Sequence, residues 1–169
     1  MSREFTIRPA DPADAASLVD LARRVGSEPE GWLITTSNWR SPGDERRYLK
    51  SIRRYAHAAV FVAEADGEVV GRLSVGRDPH PASYHVADLG LMVAKSHRRR
   101  GIGEGLLEAA VGWARERDVT KLELHVFPHN EGAIRLYERF GFEREGYRKR
   151  HYHRPDGFVD AILMAYVVE

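Results

Sequence analysis

SHRRRGIGEGLLEAA, residues 96–110, crowds three arginines (Arg98, Arg99, Arg100) against two glycines (Gly101, Gly103) and then turns apolar. Ile102, Leu106, Leu107, Ala110, Val111 and Ala114 recur at helical spacing, so a bare, positive turn opens a long amphipathic helix. The first amides of a helix have no partners inside it, and that end carries roughly +0.5 of a charge. An anion placed there receives several N–H bonds, glycines at 101 and 103 keep side-chain bulk out of its way, and arginines add charge-assisted bonds at the rim. A Walker loop would need Gly-Lys-Ser or Gly-Lys-Thr, which the chain lacks, and a dinucleotide fingerprint would need a third glycine where Leu106 stands. A solvated arginine cluster before an ordinary helix would use the same residues, so the turn alone does not decide.

Outward from the turn, strands and helices mix along the chain. Phe5 and Ile7 alternate with polar residues as a short strand. Asp11 can cap a helix with Pro12 in its first position, and Ala15, Leu18, Val19, Ala22 and Val25 mark its apolar face up to Gly26. Ser41-Pro42 starts a second helix, and Ser27 to Arg40, with Trp32 and Trp39, reads as an irregular connection. Ala59–Ala63 and Val69–Val75 read as strands joined by the hairpin signal Asp66-Gly67. Val86–Val93 is an apolar strand leading into the turn, and Leu122, Leu124 and Val126 alternate as another. Ala133, Leu136, Tyr137 and Phe140 lie on one helical face ended by Gly141; Tyr147–Tyr152 and Ala161–Val168 read as strands around Pro155-Asp156-Gly157. This order predicts an α/β fold with one mixed sheet flanked by helices, and a single domain over residues 1–169.

Composition excludes some chemistries. The 169 residues carry 26 basic and 25 acidic side chains, a net charge of +1, which argues against general nucleic-acid binding and makes any anion site local. Without cysteine there is no thiol catalysis, disulfide or cysteine-bound zinc. No apolar run approaches the ~20 residues needed to span a bilayer, and no signal-like stretch opens the chain, so a cytoplasmic protein is expected.

Arg98 to Gly103 matches Arg/Gln-x-x-Gly-x-Gly/Ala, the diphosphate loop of the GNAT N-acetyltransferase superfamily. NEGAIRLYERFGF, residues 130–142, resembles that superfamily's second signature of Asn, then Ala-Ile-x-Leu-Tyr, then Gly-Phe. The strand before the loop, the N-terminal strand and two helices, and the closing strand pair extend the resemblance over nearly the whole chain. It implies a mostly antiparallel sheet splayed between the fourth and fifth strands, with acetyl-CoA in the gap and no metal. Leu91, Met92 and Val93 would pair with pantetheine, a backbone amide near Met92 polarising the thioester carbonyl. Arg98, Arg99, Arg100, Gly101, Ile102, Gly103 and Glu104 would hold the diphosphate. Asn130 would contact the pantetheine arm, and Arg139 would reach the adenosine phosphates.

The implied reaction is direct transfer of acetyl to a primary amine of a small molecule such as an amino acid. A free alkylammonium is mostly protonated at pH 7, so a base or water chain must take a proton. Tyr137 matches the superfamily's coenzyme-contacting tyrosine that protonates the leaving thiolate; a core aromatic would also fit its helical face. The histone-acetylating relatives' glutamate on the fourth strand falls at Ala87, so that solution is absent. Other relatives place an acid on the fifth strand where this chain has His125, whose ordinary pKa near 6.5 suits a base; Asp88 and His85 are alternatives acting through water. Two further readings stay open: acetylation of a protein N-terminus or lysine, and a non-catalytic acetyl-CoA sensor or RNA-binding module, the latter prompted by the basic, aromatic GYRKRHYHR at 146–154. His151 and His153 are spaced like two metal ligands on a strand, but no third is placed. A homodimer is possible.

Overall fold

Asp66 and Gly67 both adopt positive φ, 54° and 77°, and fold β2 (Ala58–Ala65) back onto β3 (Glu68–Arg77). Two left-handed residues give the turn whose twist matches the flanking strands. The computed structural model describes residues 4–34 and 39–169; positions 35–38 of the irregular connection fall outside. The other elements are β1 (Thr6–Pro9), α1 (Ala15–Gly26), α2 (Pro42–Arg54), β4 (Val86–Val93), α3 (Ile102–Glu116), β5 (Lys121–Val126), α4 (Glu131–Phe140), β6 (Glu143–Arg154) and β7 (Gly157–Val167). Seven strands form one sheet in the order β1-β2-β3-β4-β5-β7-β6. Neighbours run antiparallel except β4 and β5, which α3 connects as a parallel pair.

The parallel pair carries the site. It is in register only over Val86–Lys121, Ala87–Leu122 and Asp88–Glu123. Beyond that point β4 stays paired with β3 up to Val93, while β5 stays paired with β7 up to Val126. The sheet therefore splits, as expected, between its fourth and fifth strands.

Helices cover the two faces. On one face α3 buries Ile102, Leu106, Leu107, Ala110 and Ala114. Full burial of a large apolar side chain contributes about 1.5–3 kcal/mol, whereas an exposed ion pair such as Arg24–Asp20 contributes at most about 1 kcal/mol, so packing fixes the helices. On the other face α1 buries Leu18, Leu21, Ala22 and Val25, and α2 sends Glu45 into the interior between Arg40 (2.7 Å) and Arg72 of β3 (3.3 Å). Gly71 lets α3 settle on the sheet: a Cβ there would stand 3.1 Å from Ala63 Cβ and from Ile102 Cγ2.

Three boundaries differ from expectation. Asp11 and Pro12 open a short 3₁₀ turn, Pro12–Asp14, in which Asp11 and Asp14 cap each other's backbone; α1 follows directly. β6 begins at Glu143, four residues before the expected Tyr147, because an exposed edge strand of charged residues has no apolar alternation to mark it. β7 begins at Gly157, four residues before Ala161.

Gly71→Val should lower unfolding stability by about 1–3 kcal/mol, the usual cost of overpacking, as read from urea denaturation. Unchanged stability would show that α3 does not rest on this position.

Candidate active site

The turn before α3 leaves the first amides of the helix without a side-chain cap. Arg99 and Gly101 take left-handed conformations, φ 62° and 85°, and no side chain caps α3 at Gly101. The first helical carbonyl bond is Gly105 N–H to Gly101 O, so the amides of Ile102, Gly103 and Glu104 precede the helix's own bonding. Arg99 and Arg100 are exposed, while Ile102 is buried and offers only its backbone. Gly101 is required for its conformation. Gly103 serves helix packing: a Cβ there would lie 2.6 Å from Leu136 Cδ2 of α4, so the freedom expected for phosphate approach is used against a neighbouring helix.

Beside this turn lies the open edge of β4. Asp78 N–H to Val86 O and Ala94 N–H to Val70 O fix the phase of the β3–β4 ladder. By antiparallel alternation, Leu89, Leu91 and Val93 turn their backbone groups toward the split, while Met92, opposite Arg72, turns its amide toward β3. The amides open to the gap next to Met92 are thus those of Leu91 and Val93; of the three residues expected to line it, Met92 alone turns its backbone away. Arg98 does not point its guanidinium at the anion turn. Its Nε donates to Val93 O (3.0 Å), and its terminal nitrogens grip Glu28 at 2.6 Å each.

Glu28 starts a strap, residues 28–33, across the ends of β4 and β5. Arg98 holds its carboxyl below the usual carboxylate range, and it also accepts from Trp32 Nε1 (3.2 Å). Trp32 stacks on His129, whose Nε2 lies 2.9 Å from Glu30 O, and Arg154 donates to Gly31 O and Leu33 O. Rings continue inward from His129 to buried Phe127 and on to Tyr152.

On the face of the split that carries α2, register aligns Asp88 of β4 with Glu123 of β5, and His125 follows two residues on. Crowding by protein atoms, and then the charge of Glu123, push the Asp88 carboxyl up to about 6. Burial, Arg148 and His151 push His125 below its ordinary value, so it is neutral at pH 7. His125 Nδ1 lies 2.6 Å from Tyr152 Oη. Tyr137 is buried against Phe142, and burial raises its pKa and keeps its proton in place. Asn130 caps α4 through Ala133 N–H (3.3 Å), and Arg139 is exposed on α4.

His151 and His153 diverge: the first meets His125 edge-on and the second packs on Phe158. Among the described residues no three His, Cys, Asp or Glu side chains converge as metal ligands. His85 accompanies the start of β5 through its carbonyl, which accepts from Thr120 and Lys121. Sequence reasoning missed Glu28, Arg154 and Tyr152. Trp32 marked the strap, but no local pattern ties residue 28 to residue 98 or residue 31 to residue 154.

The Acetyltransferase (GNAT) family model matches residues 28–142. The L-amino acid N-acetyltransferase AaaT of Escherichia coli is 31% identical over 97% of this chain and 98% of its own length. A ribosomal protein bS18-alanine N-acetyltransferase of the same organism is 39% identical over 44% of this chain and 51% of its own. Among solved structures, a GNAT-family acetyltransferase from Streptococcus pneumoniae superposes with a TM-score of 0.89 at 28% identity, over 98% of this chain and 100% of that one.

Asp88→Asn should raise the melting temperature at pH 8 and change it little at pH 4.5. The raised carboxyl pKa means that folding favours the protonated form, so a cost accrues as pH rises from the unfolded value near 3.8 through about 6. Equal melting shifts at both pH values would contradict this.

Proposed function

The chain belongs to the GNAT acetyltransferase family, and on that footing we propose that it transfers acetyl from acetyl-CoA to the primary amine of a small amino acid or related amine. The observation that carries this reading is the split between β4 and β5 in front of an uncapped α3 turn. The split exposes the backbone groups of Leu89 and Leu91 and the amide of Val93, which suit the amides of a pantetheine arm, and the turn offers the amides of Ile102 to Glu104 with Arg99 and Arg100 to a diphosphate. Acetyl-CoA supplies a thioester, an acyl group already activated toward amines.

The protein's own groups provide the rest. Asp88 and Glu123 draw an ammonium toward the acceptor face. Neutral His125 takes a proton from the amine before or during attack. A Leu91 or Val93 amide hydrogen-bonds the carbonyl oxygen as charge develops on it. Tyr137 donates a hydrogen bond to the departing sulfur. Full proton transfer from it is uphill, since its pKa is raised above 10 while a thiol sits near 8.5, so stabilisation of the thiolate is the role its burial supports. Asn130, on the cap of α4, and Arg139 line the coenzyme's path toward α4 in this reading.

The amino-acid class rests on the relative similar along its whole length and on two features of the site. The strap, tied to Arg98, His129 and Arg154, narrows the approach that a polypeptide acceptor would need open. Arg148 sets a positive charge beside His125 and Tyr152, opposite in sign to Asp88 and Glu123, which suits a substrate bearing both ammonium and carboxylate.

A panel of amino acids, polyamines and ribosomal-protein N-terminal peptides, read by thiol release with mass identification of products, tests the class; acetylation of peptides alone would overturn it. Gly101→Val should raise the KM for acetyl-CoA roughly tenfold, because a β-branched residue resists the left-handed turn. In the wild type, kcat should hold level above about pH 7 and fall on the acid side as Asp88, near pH 6, and His125, held below its ordinary value by burial, gain protons. A kcat with no acidic limb over the whole range in which the protein stays folded would remove His125 from the base role.

A further inference from the structure

β6 contains an insertion that ordinary pairing does not need. Arg148 lies opposite Ala161, and Tyr152 lies opposite Val159. Two steps along β7 therefore correspond to four along β6, so two extra residues are looped out between them. Arg150, inside the bulge, takes φ 51°, an uncommon conformation for a residue with a Cβ. Asp160 braces it: one carboxylate oxygen accepts from Arg150 N–H (2.7 Å), the other from the Tyr147 hydroxyl (2.5 Å). Strained backbone held by dedicated bonds marks a position whose geometry matters. The side chain delivered here is Tyr152, with its oxygen 2.6 Å from His125 Nδ1 and its ring edge-on to Phe127.

We infer that Tyr152 is a positioning residue that accepts Nδ1–H from His125 and so leaves Nε2 unprotonated to take the amine proton. The inference rests on the reading of His125 as base. A base must present a lone pair, and an imidazole bonded through Nδ1–H has that lone pair on Nε2. The surroundings choose this direction for the bond. Asp88, on β4, acts on Tyr152 as a negative charge and favours an O–H turned toward it, which frees the oxygen's lone pair for His125. The other charged groups around the ring are Glu123 on its own strand and Arg148 and His151 on β6; the last two oppose a second proton on His125. After proton transfer the imidazolium still donates Nδ1–H to Tyr152, so the proton taken at Nε2 leaves from Nε2 to solvent.

The test pairs kinetics with a direct reading of the ring. In the wild-type protein, nitrogen-15 NMR of His125 at pH 8 should show the Nδ1–H tautomer; the Nε2–H tautomer would overturn the inference. Tyr152→Phe should lower kcat about tenfold, the effect of one hydrogen bond, leave the KM for acetyl-CoA unchanged, and move the acidic limb of the pH profile to lower pH as the imidazolium loses its acceptor. An unchanged kcat and profile in Tyr152→Phe, with His125→Ala inactive, would overturn the positioning role and spare the base. Full activity in His125→Ala would remove the base itself. Should Tyr152→Phe unfold, Asp160→Asn reports on the same bulge: loss of the brace should lower kcat in the same sense, and an unaltered kcat would count against the inference.

Discussion

A parallel strand pair that lets go after three residues is the constraint from which the rest of this molecule follows. Pairing costs nothing to stop at a sheet edge, where water can take the exposed groups. In the middle of a sheet it leaves buried-side donors and acceptors that need a partner. Here β4 and β5 are each committed along their outer sides, to β3 and β7, and that commitment holds the gap open. Burial of α3 over Gly71 places an uncapped helix start at the wide end of the same gap. The side proposed for the acetyl donor is thus made almost wholly of main chain, which tolerates change in side chains as long as the turn at Gly101 and the strand phase are kept.

The side proposed for the acceptor amine is made differently. It consists of side chains gathered from β4, β5, β6 and the strap, and its charge is divided: Asp88 and Glu123 on one flank, Arg148 on the other. Crowding keeps Asp88 half-protonated near pH 6 and His125 neutral, so the site holds little net charge of its own while still presenting both signs to a ligand. Arg98 joins the two sides. Its guanidinium closes the last open carbonyl of β4 and fastens Glu28, so the residue expected to serve the anion instead ties the strap to the turn before α3.

Much of the fold was legible because its signals are local. Asp66-Gly67, Ser41-Pro42 and the apolar periods of α1, α3 and α4 each specify an element without help from distant residues, and the two motifs ordered them. The turn at Gly101 was legible for the same reason, but the phase of β4 was not: whether Met92 or its neighbours face the gap depends on the pairing of Met92 with Arg72, 20 residues back along the chain. The strap and Tyr152 were not legible. Glu28 meets Arg98 across 70 residues, and His125 meets Tyr152 across 27, contacts that only the folded sheet brings about. In HYH, residues 151–153, alternation sets two histidines on one side and Tyr152 on the other, and nothing local shows that Tyr152 is the one to reach His125 Nδ1.

The bulge also makes this hairpin intolerant of a kind of change that substitution never probes. Side chains on a strand alternate, so the loss or gain of one codon between Arg148 and Tyr152 would turn the whole tip of β6 inside out. A histidine would then stand where the tyrosine does, and Arg154 would release the carbonyls of Gly31 and Leu33. Along this stretch the number of residues between Arg148 and Tyr152 constrains the hairpin independently of which residues they are.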